Sequence, residues 1–358
     1  MSIFIFIISL IVLIMVHELG HFSAAKIFKV RVDEFGLGLP PKVWGKRIGE
    51  TIYSINWIPF GGFVKIFGEN ADDEIKEGEE NRNFQKKPGR VQAIILIAGV
   101  LFNFLFAWLL LSIGFMSGMP TPVGSAYGSE VSDPQVTVVS VLPNSPASKA
   151  GLQVGDSIVS LEGLSKDLSP EIVSNITTKS HNPLDIVYKR GPKTFEVNVT
   201  PEEGIVSGKM AIGISMEMIG ILKLPIHKAF YEGLKTTSML TYGTAQGLIS
   251  FITKTIFLKS NLSEISGPVG IANIFSQASG LGISYIISMV ALISVNLAVI
   301  NLIPFPALDG GRLLFVAIEG VIRKPIHLKF VTVVNTIGFF LLLTLMVVVT
   351  VHDILRLV

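Results

Sequence analysis

The chemistry in this sequence concentrates in His17-Glu18-Leu19-Gly20-His21, an H-E-x-x-H string set in an apolar run from Ile3 to Phe22. On a helix, residues four apart lie one turn above each other on one face. His17 and His21 can therefore hold one Zn²⁺ through imidazole nitrogens at about 2.0–2.1 Å. Glu18, beside the first ligand, can reach a water on that metal as general base. Ionisable groups inside a transmembrane segment are costly and are functional candidates by default, which strengthens the motif here. The alternative is a helix end whose His and Glu meet water at the interface.

A zinc site built on two histidines needs a third ligand and an open water position. The chain has no cysteine, which excludes thiolate sites and disulfides. Asp309 is the only acidic residue from Ile283 to Val316, in a stretch that carries Asn296, Asn301, Pro304, Pro306 and then Asp309-Gly310-Gly311-Arg312. The two prolines cannot continue a helical ladder, and the break can turn Asp309 inward. Asp309 could instead cap the next helix. Capping alone would not require the Asn-Pro-Pro approach, so the ligand reading is preferred, with one zinc per chain on His17, His21 and Asp309. His181, His227, His327 and His352 have no ligand spacing and read as surface or packing residues.

These residues need a membrane frame. Hydrophobic residues make up 49% of the 358-residue chain and charged ones 16%, the balance of a membrane protein. A net charge of +2 is too small to imply nucleic acid. Ser2–Phe28, Val91–Met116, Ile283–Ile303 and Phe330–Val351 are long and apolar enough to span a bilayer, which takes roughly 20 residues. The N-terminus lacks the basic region and cleavage site of a signal peptide, so the first helix is expected to be retained. Loop 29–90 carries 11 Lys/Arg and loop 304–329 carries 4, while the much longer 118–282 carries 12. By the bias of basic residues, the first two face the cytoplasm, and 118–282 lies outside with both termini.

The chain then divides into span 1–28, loop region 29–90, span 91–117, an external domain 118–220, an amphipathic helical segment 221–282 on the outer face, span 283–303, loop 304–329 and span 330–358. Val30–Phe67 reads as short strands and hairpins broken by Gly36, Gly38, Pro40 and Pro41. Within it Gly61-Gly62-Phe63-Val64 could present an unpaired strand edge to an extended substrate, or be a tight turn packed on the helices. Residues 69–87 are a solvated charged loop. Gly99 and Asn103, four apart in the second span, suggest close helix packing and a polar partner. In the external domain Ser145-Pro146 caps a short helix that Gly151 ends, and Gly155-Asp156 turns into a strand. Strands recur at Leu184–Lys189 and Thr194–Thr200. Asn261–Ile271 is a turn-rich approach to the third span.

The run Pro143–Val159 resembles the PDZ domains of bacterial envelope proteases, and Ala211-Ile212-Gly213-Ile214 looks like the carboxylate-binding loop of a circularly permuted PDZ domain. An ordinary closing strand is the alternative. Together with His17–His21, Gly99–Asn103 and Asn301–Gly311, the whole chain resembles the site-2 protease family of intramembrane zinc metalloproteases, closest to the bacterial regulator-of-sigma-E type. The resemblance implies an α-helical polytopic membrane protein of four transmembrane helices, with a membrane-associated β-loop and an inserted β-rich PDZ domain, in the bacterial inner membrane. It implies zinc on His17, His21 and Asp309 and Glu18 as base. Gly61, Gly62, Phe63 and Val64 would pair with substrate, Asn296 and Asn301 would help hold it, and Asn103 would lie near the site. Ile212, Gly213 and Ile214 would face a substrate terminus. Substrates would be single-pass membrane proteins already cut by another protease, such as anti-sigma factors or signal-peptide remnants. Several relatives carry two tandem PDZ domains, and 118–282 has room for one. A catalytically silent PDZ scaffold and a zinc transporter are the competing classes. An intact H-E-x-x-H argues against the scaffold. Convergence of the ionisable groups on one site, rather than repeated polar sites across several spans, argues against the transporter.

Overall fold

The structure, a computed structural model, describes residues 2–69, 79–124, 130–206, 209–256 and 267–357. Part of the charged loop (70–78) and of the turn-rich approach (261–266) lie outside the described residues. In chain order the elements are α1 (Ser2–Ile27), β1 (Val32–Ile48), β2 (Thr51–Ile66), α2 (Gly89–Ser117), β3 (Met119–Pro122), β4 (Val131–Val141), α3 (Pro146–Lys149), β5 (Ser157–Leu161), α4 (Pro170–Lys179), β6 (Leu184–Arg190), β7 (Lys193–Val199), β8 (Glu202–Val206), β9 (Lys209–Ala211), β10 (Ile214–Leu222), α5 (Ile226–Ile256), α6 (Pro268–Leu281), α7 (Ile283–Asn301), α8 (Asp309–Ile322) and α9 (Leu328–Leu357). Helices α1, α2, α7 and residues 329–355 of α9 are long and apolar enough to cross a membrane, so the polytopic architecture expected from composition stands. The chain folds as two compact units, one of residues 1–110, 233–273 and 290–358 and the other of 111–232 and 274–289.

In the first unit, β1 and β2 form an antiparallel hairpin that is bent back on itself. Residues 34–37 of β1 pair with 62–65 on one side and with 52–55 on the other. Beyond Leu39 the partners shift, and Trp44–Ile48 pairs with Ile55–Thr51. Gly36, Gly38, Pro40 and Pro41 therefore do not break the region into separate strands, as the sequence suggested. Proline lacks the N–H that a ladder needs, so 40–41 interrupts the pairing where β1 bends while the strand continues. Residues 62–66 are left as an outer edge that no other strand pairs among the described residues. The base of the hairpin packs through Val30, Val32 and Ile66 against Ala24 and Ala25 of α1 and Ile95 and Leu96 of α2. Polar ties fix the same corner. Thr51 Oγ1 donates to the Val32 carbonyl at 2.8 Å, Lys26 Nζ lies 2.6 Å from Glu50, and Arg82 pairs with the same carboxylate.

The second unit carries a six-stranded sheet in the order β3-β10-β4-β5-β6-β7. Val136, Val138, Ile158, Leu161, Leu184 and Ile186 close its core with Val173 of α4 and Ala147 of α3. Ser145 caps α3, its hydroxyl accepting from Ser148 N, and Gly151 follows with φ +83°, a conformation that costs glycine little. Asp156, fully buried, takes both Nε and an Nη of Arg190 at 2.7 Å. This bidentate pair ties the turn before β5 to the end of β6. The helical segment 221–282 holds two described helices, α5 and α6, preceded by the end of β10.

Burial pushes the Glu50 carboxyl up, but hydrogen bonds from Lys26 and Arg82 outweigh it and hold the group below its ordinary value of 4.5. A carboxylate depressed on folding stabilises above its unfolded value and loses that stabilisation as pH falls through the lowered one. Amide exchange over residues 48–52, corrected for intrinsic rate, is expected to quicken as pH drops below 4.5. In Glu50→Gln it is fast throughout. An unchanged pH profile in that variant would remove Glu50 as the anchor.

Candidate metal centre

α1 and α2 meet at glycines. A Cβ on Gly20 would lie 2.3 Å from the Ala98 carbonyl oxygen, and one on Gly99 would lie 2.3 Å from His21 Nε2 and 2.8 Å from His17 Cε1. The two backbones touch, and both imidazoles of α1 turn over the bare face of α2. Their rings stand edge to face at 4.8 Å between centroids. His21 Nδ1 lies 2.8 Å from the Ile95 carbonyl. A carbonyl only accepts, so that nitrogen carries the proton and Nε2 keeps its lone pair. His17 Nδ1 lies 3.3 Å from the Asn103 carboxamide, whose residue is fully buried.

Asp309 reaches the pair from the far end of the chain. The Pro304–Pro306 turn after α7 folds tightly enough that a Cβ on Gly310 would strike the Ile303 carbonyl at 2.3 Å, and one on Gly311 the Phe305 carbonyl at 2.2 Å. Ala307 has φ +75°, a strained value for a residue with a Cβ. Its N–H donates to Asn335 Oδ1 of α9 at 3.2 Å, and Gly338 packs on Pro306. The residue that precedes α8 is Leu308, which makes no side-chain cap. Asp309 does not cap the helix but points its carboxylate at the histidines.

Asp309 Oδ2 lies 3.0 Å from His17 Nε2 and 3.3 Å from His21 Nε2, and the two Nε2 atoms are 3.2 Å apart. Ligand atoms about 2.0–2.2 Å from a tetrahedral zinc stand roughly 3.3–3.5 Å from one another, so this triangle fits the ion closely. The His21 Nε2 lone pair, turned toward a carboxylate and a second imidazole, also calls for a cation there. No other group of three such donors converges among the described residues.

Glu18 borders a cavity of about 430 Å³ together with His17, His21, Asp309, Phe63, Val64, Glu69 and Arg312. The Val64 backbone faces the Glu18 carboxylate, which lies between the histidines and the outer edge of β2. Gly62 sits on Ile14 and Glu18, with room for no more than a tight Cβ contact, and Gly61 on Leu39. A second cavity of about 250 Å³ is lined by His17, Glu18, Asn103, Asn301 and Asp309. Asn301 is thus at the centre. Asn296 is not: it borders neither cavity, and its Oδ1 accepts from Thr244 of α5 at 3.0 Å. Ile212, Gly213 and Ile214 belong to the second unit. There the Ile212 carbonyl accepts from Ala147 N, the Gly213 carbonyl from Leu142 N, and Ile214 pairs with Val141.

Sequence reasoning passed over four contributors. Asn335 and Ser294, whose hydroxyl donates to the Asn103 carbonyl at 2.8 Å, are polar residues in apolar spans and could have been flagged on that ground. Arg312, half-buried and paired with Glu69, was visible only as part of its motif. The Ile95 carbonyl leaves no mark in a sequence.

Gly99→Ala is expected to push His21 off the triangle and lower the metal content of the purified protein several-fold, while Gly247→Ala, with open space around it, leaves it intact. Elemental analysis of both variants decides this, and full metal in Gly99→Ala would mean the α1–α2 contact does not set the site.

Residues 5–345 match the profile of peptidase family M50. A Clostridium perfringens chain provisionally named a zinc metalloprotease is 34% identical over 343 residues, covering 96% of this chain and 95% of that one. The regulator of sigma-W protease RasP of Bacillus subtilis is 28% identical over 422 residues, with 96% of each chain covered. A crystal structure of the PDZ domain of an SdrC-like protein from Listeria monocytogenes is 30% identical over 24% of this chain and 90% of that one, with a TM-score of 0.22. The chain belongs to peptidase family M50 and is an intramembrane zinc metalloprotease.

Proposed function

We propose that His17, His21 and Asp309 hold one zinc per chain, that Glu18 is the general base, and that the substrate lies along residues 62–66 of β2. The observation that carries this reading is the convergence of three ligand atoms beside Glu18 in a cavity walled by an outer strand edge. The metal, when bound, supplies an acidified water and a Lewis acid for the scissile carbonyl. Glu18 takes the proton of the attacking water and passes it to the leaving amide nitrogen. A transmembrane helix hides its carbonyls in its own hydrogen bonds, so the substrate must unwind to reach Glu18. The edge at Gly61–Val64 offers the extended form backbone partners in exchange. The Asn301 carboxamide lines a cavity with Glu18, which supports a role in holding a substrate carbonyl. Asn296 ties α7 to α5 through Thr244 and supports that wall rather than touching substrate.

The relative named as a regulator of sigma-W protease supports a substrate class of single-pass membrane proteins whose cleavage releases a regulator, anti-sigma factors among them, after a first cut by another protease. Basic residues in 29–90 and 304–329 support a cytoplasmic setting for the zinc site in a bacterial plasma membrane, with the PDZ-like domain external. There the domain, with Ile212-Gly213-Ile214, serves chiefly to exclude bulky ectodomains, since a terminal-carboxylate contact is a weak handle on a substrate already confined to the bilayer.

Two experiments test these points. Glu18→Gln should retain zinc and lose at least about 10²-fold in cleavage of a membrane-embedded reporter, whereas Asp309→Ala should lose both. Normal zinc and activity in Asp309→Ala would end its role as ligand. For orientation, the native chain has no cysteine, so a single cysteine at Lys179 should label only from outside. Labelling only from the cytoplasm would reverse the topology.

A further inference from the structure

The two histidines are held differently. His21 Nδ1 faces a backbone carbonyl at 2.8 Å, which can only accept, so its Nε2 is always free for a metal. His17 Nδ1 faces the Asn103 side chain at 3.3 Å, and a carboxamide can present either a donor or an acceptor. With the amide nitrogen toward His17, Nδ1 would have to accept and Nε2 would carry the proton toward Asp309 Oδ2 at 3.0 Å. That tautomer cannot ligate through Nε2. The same placement leaves Asn103 Oδ1 buried without a hydrogen-bond partner.

We propose that Asn103 is a positioning residue that sets the His17 tautomer: its Oδ1 accepts from His17 Nδ1–H and leaves Nε2 for the metal. Terminal amide torsions are broad, so this orientation requires no backbone motion. The backbone of Asn103 is itself fixed, its carbonyl accepting from Ser294 Oγ at 2.8 Å. Acceptors behind metal-bound histidines fix the tautomer and typically carry about 10–100-fold in metal affinity. This assigns Asn103 to the metal rather than to the substrate, and it rests on the reading that His17, His21 and Asp309 hold zinc.

The test is zinc affinity of the purified full chain, measured by competition with a chromophoric chelator. Asn103→Leu should weaken zinc by at least about 10-fold. Asn103→Asp, which keeps an acceptor at the same place, should stay within about three-fold of wild type. Wild-type affinity in Asn103→Leu, with only KM raised, would overturn the proposal in favour of substrate contact. Equal losses in both variants would overturn it in favour of packing. Asp309→Ala is the control: if it binds zinc as tightly as wild type, the ligand assignment fails rather than the role of Asn103.

Discussion

Gly20 lets α1 touch the α2 backbone, where a Cβ would strike the Ala98 carbonyl, and Gly99 leaves bare the space that His17 and His21 fill. The rest of the first unit follows from this contact. With the imidazoles laid over α2, their outer nitrogens find Ile95 and Asn103, and their inner nitrogens point together toward the turn that brings Asp309. Small residues at helix crossings in membranes usually serve packing alone. Here the absent side chain at Gly99 is also the space in which the proposed metal ligands His17 and His21 lie.

Asp309 depends on a different device. A carboxylate in apolar surroundings needs compensation for lost hydration, and a cation shared with the two imidazole nitrogens within 3.3 Å would supply it. The turn that delivers it is strained at Ala307 and held by Asn335 and Gly338 of α9. The last span is otherwise mostly exposed on its apolar faces, as suits a helix against lipid, yet at one level it clamps the ligand loop. Glu18 is positioned by a third element, since the Val64 backbone that faces it belongs to the outer edge of a folded-back hairpin. The proposed ligands, the proposed base and the strand edge thus come from separate parts of the chain, and each is fixed by backbone contacts rather than by neighbouring side chains alone.

What could be read from the residues was what local spacing dictates. His17 and His21 needed only the helical repeat, Asp309 only its isolation in an apolar stretch, and the Ser145 cap with Gly151 only turn chemistry. The hairpin was harder. Pro40 and Pro41 looked like terminators because proline cannot donate to a ladder, but a missing donor is tolerated where the strand bends, so one long strand was divided on paper. Asn296 and Asn301 looked equivalent in sequence. They sit five residues apart on α7, and only the structure shows that one faces α5 and the other the cavity. The Ile95 carbonyl was beyond reach, because backbone acceptors become distinct only when a partner helix is placed.

The central claim is that two imidazoles and one carboxylate, from one helix and a turn some 290 residues away, form a single zinc site. X-ray absorption at the zinc edge on the purified full chain reads the ligands directly. Two nitrogen scatterers with imidazole outer-shell features and one or two oxygens, all at about 2.0–2.2 Å, are expected, together with loss of one imidazole in His17→Ala. A zinc shell of oxygens alone, or an unchanged spectrum in His17→Ala, would contradict the account.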